Sequence, residues 1–182
     1  MRGKLSGHKL SPGKLSLAVQ YATRAQPVPT RAQLRRWIKI ALHRDASITL
    51  RIVDEAEGRK LNRDYRGKDY ATNVLTFVYD DVKPTPQPPL SGGLTGSSPD
   101  KGRLGGVALS GDIVICAPVV KKEAATQHKE LLAHYAHLVI HAALHLQGYG
   151  HDDDAGAGEM ETLETALMLK LRYPDPYQMT RH

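Results

Sequence analysis

Leu109-Ser110-Gly111-Asp112-Ile113-Val114-Ile115-Cys116, followed at once by Ala117-Pro118-Val119-Val120, is where this 182-residue chain turns from strand to helix for the last time. The first eight residues read as a central strand. Pro118 suits the first turn of a helix, where a missing N–H costs nothing, and that helix should end near Gln127. Beyond it the pattern is helical only: one long helix from about Lys129 to Gln147, and another from about Gly156 to Arg172 that Pro174 stops. Upstream, strands and helices alternate. Leu15 to Ala22 alternates as a strand does, and Thr30 can cap a helix in which Leu34, Trp37, Ile38, Ala41 and Leu42 recur at helical spacing. Ser47 to Val53 reads as a strand, and Asp54 with Glu57 resembles a capping box that opens a helix to about Tyr65. Val74 to Tyr79 is β-rich. Early alternation with an all-helical last third predicts a mixed α/β domain of α+β character, not a regular doubly wound sheet.

Length and composition bound the rest. At 182 residues with 41% hydrophobic content the chain suits one domain with an ordinary core. Residues 1–14, rich in Gly, Lys and Ser, are expected to form a disordered basic tail ahead of a single domain over 15–182. Pro, Gly and Ser dominate residues 83–106, which predicts a flexible surface insertion. Cys116 is the only cysteine, which excludes intrachain disulfides and thiolate-rich zinc modules and suggests a buried strand thiol in a reducing, cytoplasmic setting. No run of about 18 apolar residues is long enough for a membrane span, and no signal peptide is evident.

The net charge of +6 is placed unevenly. Residues 1–44 hold ten Lys or Arg and no Asp or Glu, and Arg31, Arg35, Arg36 and Lys39 share the polar face of the first helix. Such a block attracts polyanions, although a solvated helix face has the same composition. Aromatic residues, at 5%, are too sparse to suggest a stacking platform for single strands, so phosphate contacts should dominate any binding of RNA.

The chemistry is concentrated in His141-Ala142-Ala143-Leu144-His145-Leu146-Gln147-Gly148-Tyr149-Gly150-His151. His141 and His145, four apart, project from one helix face, and Gly148 can end the helix and swing His151 back toward them. Three imidazoles with no fourth protein ligand describe a catalytic zinc site with an open position. His134 and His137 lie on the same stripe but further from the glycine loop, and are expected to serve as partners of the ligands, as core residues or as substrate contacts. A metallopeptidase of the usual kind would carry Glu directly after the first histidine as general base. Here that residue is Ala142, and only Asp152, Asp153 and Asp154 could stand in for it.

With the histidine run, Leu61-Asn62-Arg63-Asp64-Tyr65-Arg66-Gly67-Lys68-Asp69, Thr72-Asn73-Val74-Leu75-Thr76-Phe77, Gly111-Asp112-Ile113, Glu159-Met160-Glu161-Thr162-Leu163-Glu164 and Tyr173-Pro174-Asp175-Pro176-Tyr177 complete a pattern. In these separated segments the chain resembles the YbeY family of bacterial rRNA maturation factors, single-domain metal-dependent endoribonucleases. It departs at Ala142, where glycine is usual, at Gly150, where aspartate is usual, and at Val78, commonly proline. The resemblance implies a small mixed sheet of about four strands packed with five to six helices, and a metal cleft beside the sheet. It implies one zinc ion on His141, His145 and His151, with Arg66 and the ligand His141 as catalytic residues. The implied activity is single-strand-directed cleavage of RNA in maturation of the 3′ end of small-subunit rRNA and in ribosome quality control. The implied partners are rRNA and the ribosome, a small-subunit ribosomal protein and a ribosome-assembly GTPase, with no membrane. Two other readings are a non-catalytic rRNA-binding assembly factor with a zinc-stabilised fold, and a metal-dependent hydrolase of another substrate.

Overall fold

The computed structural model describes residues 13–79, 108–150 and 154–178. The expected insertion at 83–106 and the expected tail, apart from Gly13 and Lys14, lie outside these residues. Four strands form one mixed sheet: β1 (Leu15–Ala22), β2 (Ala46–Val53), β3 (Val74–Tyr79) and β4 (Leu109–Cys116), in the order β1-β2-β4-β3. β1, β2 and β4 are parallel, with Leu15 opposite Ala46 and Ala46 opposite Leu109. β3 runs antiparallel along the outer side of β4, with Val78 opposite Gly111. The expected mixed four-stranded sheet is present, and the run at 109–116 is one of its two inner strands, flanked on both sides as its apolar character requires.

Among the described residues five helices cover the sheet: α1 (Arg31–Ala41), α2 (Glu55–Arg66), α3 (Ala117–Thr126), α4 (Leu131–Leu146) and α5 (Asp154–Lys170). The sheet's alternation divides the core in two. On one face Ile48, Leu50, Ile52, Ile113 and Ile115 pack with Leu34, Trp37 and Ile38 of α1 and with Val139, Ile140, Ala143 and Leu144 of α4. On the other, Val53, Leu75, Val114 and Cys116 pack with Leu61 of α2. Cys116 is buried as expected, and burial pushes its thiol up. α4 packs against α1, α3, α5, β3 and β4. Its residues are buried nearly all round, the signature of an inner helix. Among the described residues no helix is long and apolar enough to cross a membrane.

Local chemistry sets the boundaries. Thr30 accepts from Gln33 N at 3.3 Å while its own N donates to Gln33 Oε1 at 2.8 Å, a complete capping box. The box expected at Asp54 does not form, although Asp54 occupies the N-cap position. Its carboxylate instead accepts from Thr23 Oγ1, and Glu57 takes the Arg51 guanidinium at 2.7 and 3.1 Å. A bidentate charged partner outcompetes a backbone amide for Glu57.

Candidate metal centre

Four histidines of α4, His134, His137, His141 and His145, fall on one stripe, with His134 buried and the other three half-buried. The rings of His141 and His145 lie edge to face with centroids 4.4 Å apart, and those of His137 and His141 with centroids 6.2 Å apart. α4 then ends at Gln147. Gly148 adopts φ 94°, a conformation open to glycine, and its N donates to His145 O at 3.0 Å. The turn expected after His145 is therefore present, whereas His151 itself lies outside the described residues. His141 and His145 are brought together as their spacing predicts.

What positions His141 is a residue given no role from sequence. Glu164 of α5 is fully buried, and its Oε1 accepts from His141 Nδ1 while its Oε2 faces His137 Nε2 at 3.3 Å. The Tyr177 hydroxyl also donates to Oε2. Burial pushes the Glu164 carboxyl up, but hydrogen bonds from His137, His141 and Tyr177 outweigh it and hold the group at about 2. Burial and the same carboxylate push the Tyr177 phenol up. An ionised carboxylate on Nδ1 directs Nε2 of the same ring toward an ion and raises its basicity, the arrangement found behind metal-ligating histidines. A carboxylate buried this deeply needs such partners to stay ionised.

The donor set fits a metal in a second way as well. Ligand atoms of His137, His141 and Glu164 all lie within 4.8 Å of one another, so these three groups could hold an ion themselves. The two arrangements exclude each other, because the Glu164 oxygen that accepts from His141 cannot at the same time ligate an ion through that contact. Further up the stripe, His134 Nε2 meets Glu123 Oε2 at 2.9 Å, and Asn73 Nδ2 donates to both oxygens of Glu123 at 3.2 and 3.1 Å. His134 and His137 thus act partly as expected, one tying α4 to α3 and the other contacting the carboxylate that holds His141. Nδ1 of each is buried without a hydrogen-bond partner among the described residues. Both side chains line an open groove of about 1250 Å³ together with Lys129, Glu130, Pro176 and Tyr177.

Arg66 is the last residue of α2, exposed, with Gly67 following in the left-handed conformation. It belongs to the helix that covers the sheet face opposite α4. The carboxylates that might have claimed it are taken: Asp64 by Lys60 at 2.6 Å, Asp69 by Arg59 at 2.8 Å. Arg66 itself has no carboxylate partner among the described residues. Glu164 could have been found from sequence, for it sits four residues from both Met160 and Met168 on the apolar stripe of α5, where a carboxylate must be paired.

Comparison with known proteins identifies the family. The family model described as Endoribonuclease YbeY matches residues 20–172. The Endoribonuclease YbeY of Nitrosospira multiformis is 56% identical over 91% of this chain and 83% of its own length, and that of Aromatoleum aromaticum 50% identical over 90% and 93%. Among solved structures, the solution structure of TM1509 from Thermotoga maritima matches with a TM-score of 0.48 at 20% identity, over 89% of this chain and 99% of that one. The matched span runs from within β1 to beyond α5 and takes in α4 and its histidines, and on this ground the chain belongs to the YbeY endoribonuclease family.

Proposed function

We propose that the protein is a metal-dependent, single-strand-directed endoribonuclease of rRNA maturation, with one zinc ion held by His141, His145 and His151. The observation that carries this reading is the buried Glu164 carboxylate on His141 Nδ1, with the His145 ring packed beside His141. Desolvating a carboxylate to fix one imidazole is costly in a merely structural helix and useful in a ligand set. Zinc bound there would supply Lewis acidity toward a phosphate oxygen. The chain's own residues do the rest: Glu164 fixes the His141 tautomer, His137 and Tyr177 fix Glu164, and Arg66 offers paired donors to phosphate. The 50–56% identity to proteins named Endoribonuclease YbeY supports RNA as the substrate. By the same kinship we place its work on small-subunit rRNA in the cytoplasm, with the ribosome, a small-subunit ribosomal protein and an assembly GTPase as partners.

Metal analysis of purified protein beside cleavage of single-stranded rRNA fragments tests the reading. His145→Ala should lose both the ion and cleavage, His137→Ala should keep the ion, and Arg66→Ala should keep the ion and lose cleavage. Loss of the ion in His137→Ala with retention in His145→Ala would move the metal to His137, His141 and Glu164. Full cleavage by metal-free protein would overturn the nuclease mechanism.

A further inference from the structure

The C-terminal end of α2 gathers what the overall composition dilutes. Tyr65 and Tyr70 are 39% and 55% exposed in a chain with few aromatic residues, and between them lie Arg66 and Lys68. Neither cation has a carboxylate partner among the described residues, since Asp64 and Asp69 are occupied by Lys60, Arg59 and Arg63. The segment is also held in shape. Asn62, 1% exposed, donates from Nδ2 to Tyr70 O at 2.7 Å, and Lys68 N donates to Asn62 O at 3.4 Å. Arg59 grips Asp69 through two bonds of 2.8 Å. Tyr65 stands edge to face on Phe77 of β3, centroids 5.2 Å apart at 72°. Its ring is propped by the sheet and still reaches solvent.

From this juxtaposition we propose that Tyr65 and Tyr70 form a stacking surface for unpaired RNA bases, with Arg66 and Lys68 holding the adjoining phosphates. The proposal rests on the nuclease reading for its choice of ligand and deepens it by naming where the substrate strand lies. Exposed aromatic faces accept any base, and unpaired cations beside them track the backbone, the combination that binds single strands without reading sequence. A duplex hides its base faces and gains only from the cations. A protein partner is disfavoured by charge: Arg59, Lys60, Arg63, Arg66 and Lys68 stand against Asp64 and Asp69 alone along this stretch. β3 is an edge strand, and among the described residues no strand pairs with its outer side. RNA leaving Tyr65 and Phe77 across that edge would pass to the face where α4 carries His141 and His145. Overall aromatic content does not mark this surface, because the two rings lie together beside the cations.

The test is binding of a non-cleavable 2′-O-methyl oligoribonucleotide to the full chain, followed by fluorescence anisotropy, beside the same strand with abasic positions, its duplex, and heparin, a polyanion without bases. Tyr70→Ala, which disturbs no ring contact among the described residues, and Tyr65→Ala should each weaken single-strand binding about tenfold, and Tyr65→Phe should bind as wild type. Arg66→Ala and Lys68→Ala should each reduce the steepness of the salt dependence by about 0.7 on logarithmic axes. The abasic strand should bind the wild type about as weakly as the intact strand binds the tyrosine variants. Equal affinity of wild type and Tyr70→Ala, or of intact and abasic strands, would overturn the proposal, as would heparin or duplex binding whose loss in the tyrosine variants matches that of the single strand. Because the readout is binding, a protein that binds in this way but never cleaves would sink the nuclease reading and leave the stacking surface standing. Cleavage with KM unchanged in Tyr70→Ala would do the reverse.

Discussion

Glu164 shows how much one side chain decides. Its carboxylate, buried away from solvent, is the common acceptor for His137, His141 and Tyr177. Glu164→Gln keeps the volume and removes the charge that fixes His141 Nδ1, so metal affinity should fall about 10- to 100-fold while the circular dichroism spectrum is retained. Unchanged affinity in a metal titration would show that His141 needs no such partner. Glu123 makes a comparable link between Asn73 and His134, with an effect readable in pH. Burial works to raise its carboxyl, but hydrogen bonds from His134 and Asn73 and the charge of Lys129 hold it below the ordinary 4.5. A depressed carboxyl contributes stability above its ordinary value and loses it as the pH falls through the folded value. Glu123→Gln should therefore be less stable at neutral pH and lose less on acidification, measured as a shallower acid limb of the melting temperature. At this scale His141 and His145 were legible from a four-residue spacing. Glu164 was hidden because the helix that carries it is a separate element, and only its place among Met160 and Met168 marked it.

At the scale of elements, strand and helix limits were legible wherever period and punctuation agreed. β1, β3 and β4 fall where alternation or apolar character placed them, and α1 begins at the Thr30 cap. The capping box at Asp54 does not form because Thr23 of the loop after β1 and Arg51 of β2 claim the two carboxylates. The seating of α4 on the sheet was not legible at all, for it depends on the absence of a side chain at Gly111. A Cβ there would lie 2.6 Å from Phe77 O and 2.9 Å from Leu146 Cδ2, so β3, β4 and the end of α4 meet at this residue. Gly111→Ala must push either a strand backbone or the turn after His145, and should cost about 1–3 kcal/mol by denaturant unfolding. The loss should be accompanied by weaker metal binding, because Leu146 adjoins His145. Gly158 of α5 has open space where its Cβ would go, and Gly158→Ala should instead stabilise by up to about 1 kcal/mol. Equal effects of the two substitutions would refute close approach as the cause.

For the whole molecule, alternation and an all-helical last third indicated a mixed α/β fold but not the strand order. β3 precedes β4 in sequence yet lies outside it, antiparallel, and nothing in either strand's composition specifies that neighbour. Charge is the property that sequence does distribute legibly over the surface. Leu34, Trp37 and Ile38 bind α1 to the same sheet face as α4, which turns Arg31, Arg35, Arg36 and Lys39 outward, all exposed. A polyanion that reaches α4 from this side meets those cations first, and each phosphate it engages releases condensed counterions. Replacing Arg35 and Arg36 together by Gln leaves the core untouched, so the melting temperature should stay within about 1 °C, since surface changes of this kind are nearly neutral. Affinity for a non-cleavable single-stranded rRNA fragment should fall at low salt and converge on wild type as salt rises. The slope of log affinity against log salt should flatten by about 0.7 for each phosphate that the variant no longer neutralises. An unchanged slope would mean that the basic face of α1 is only solvated and takes no part in binding RNA.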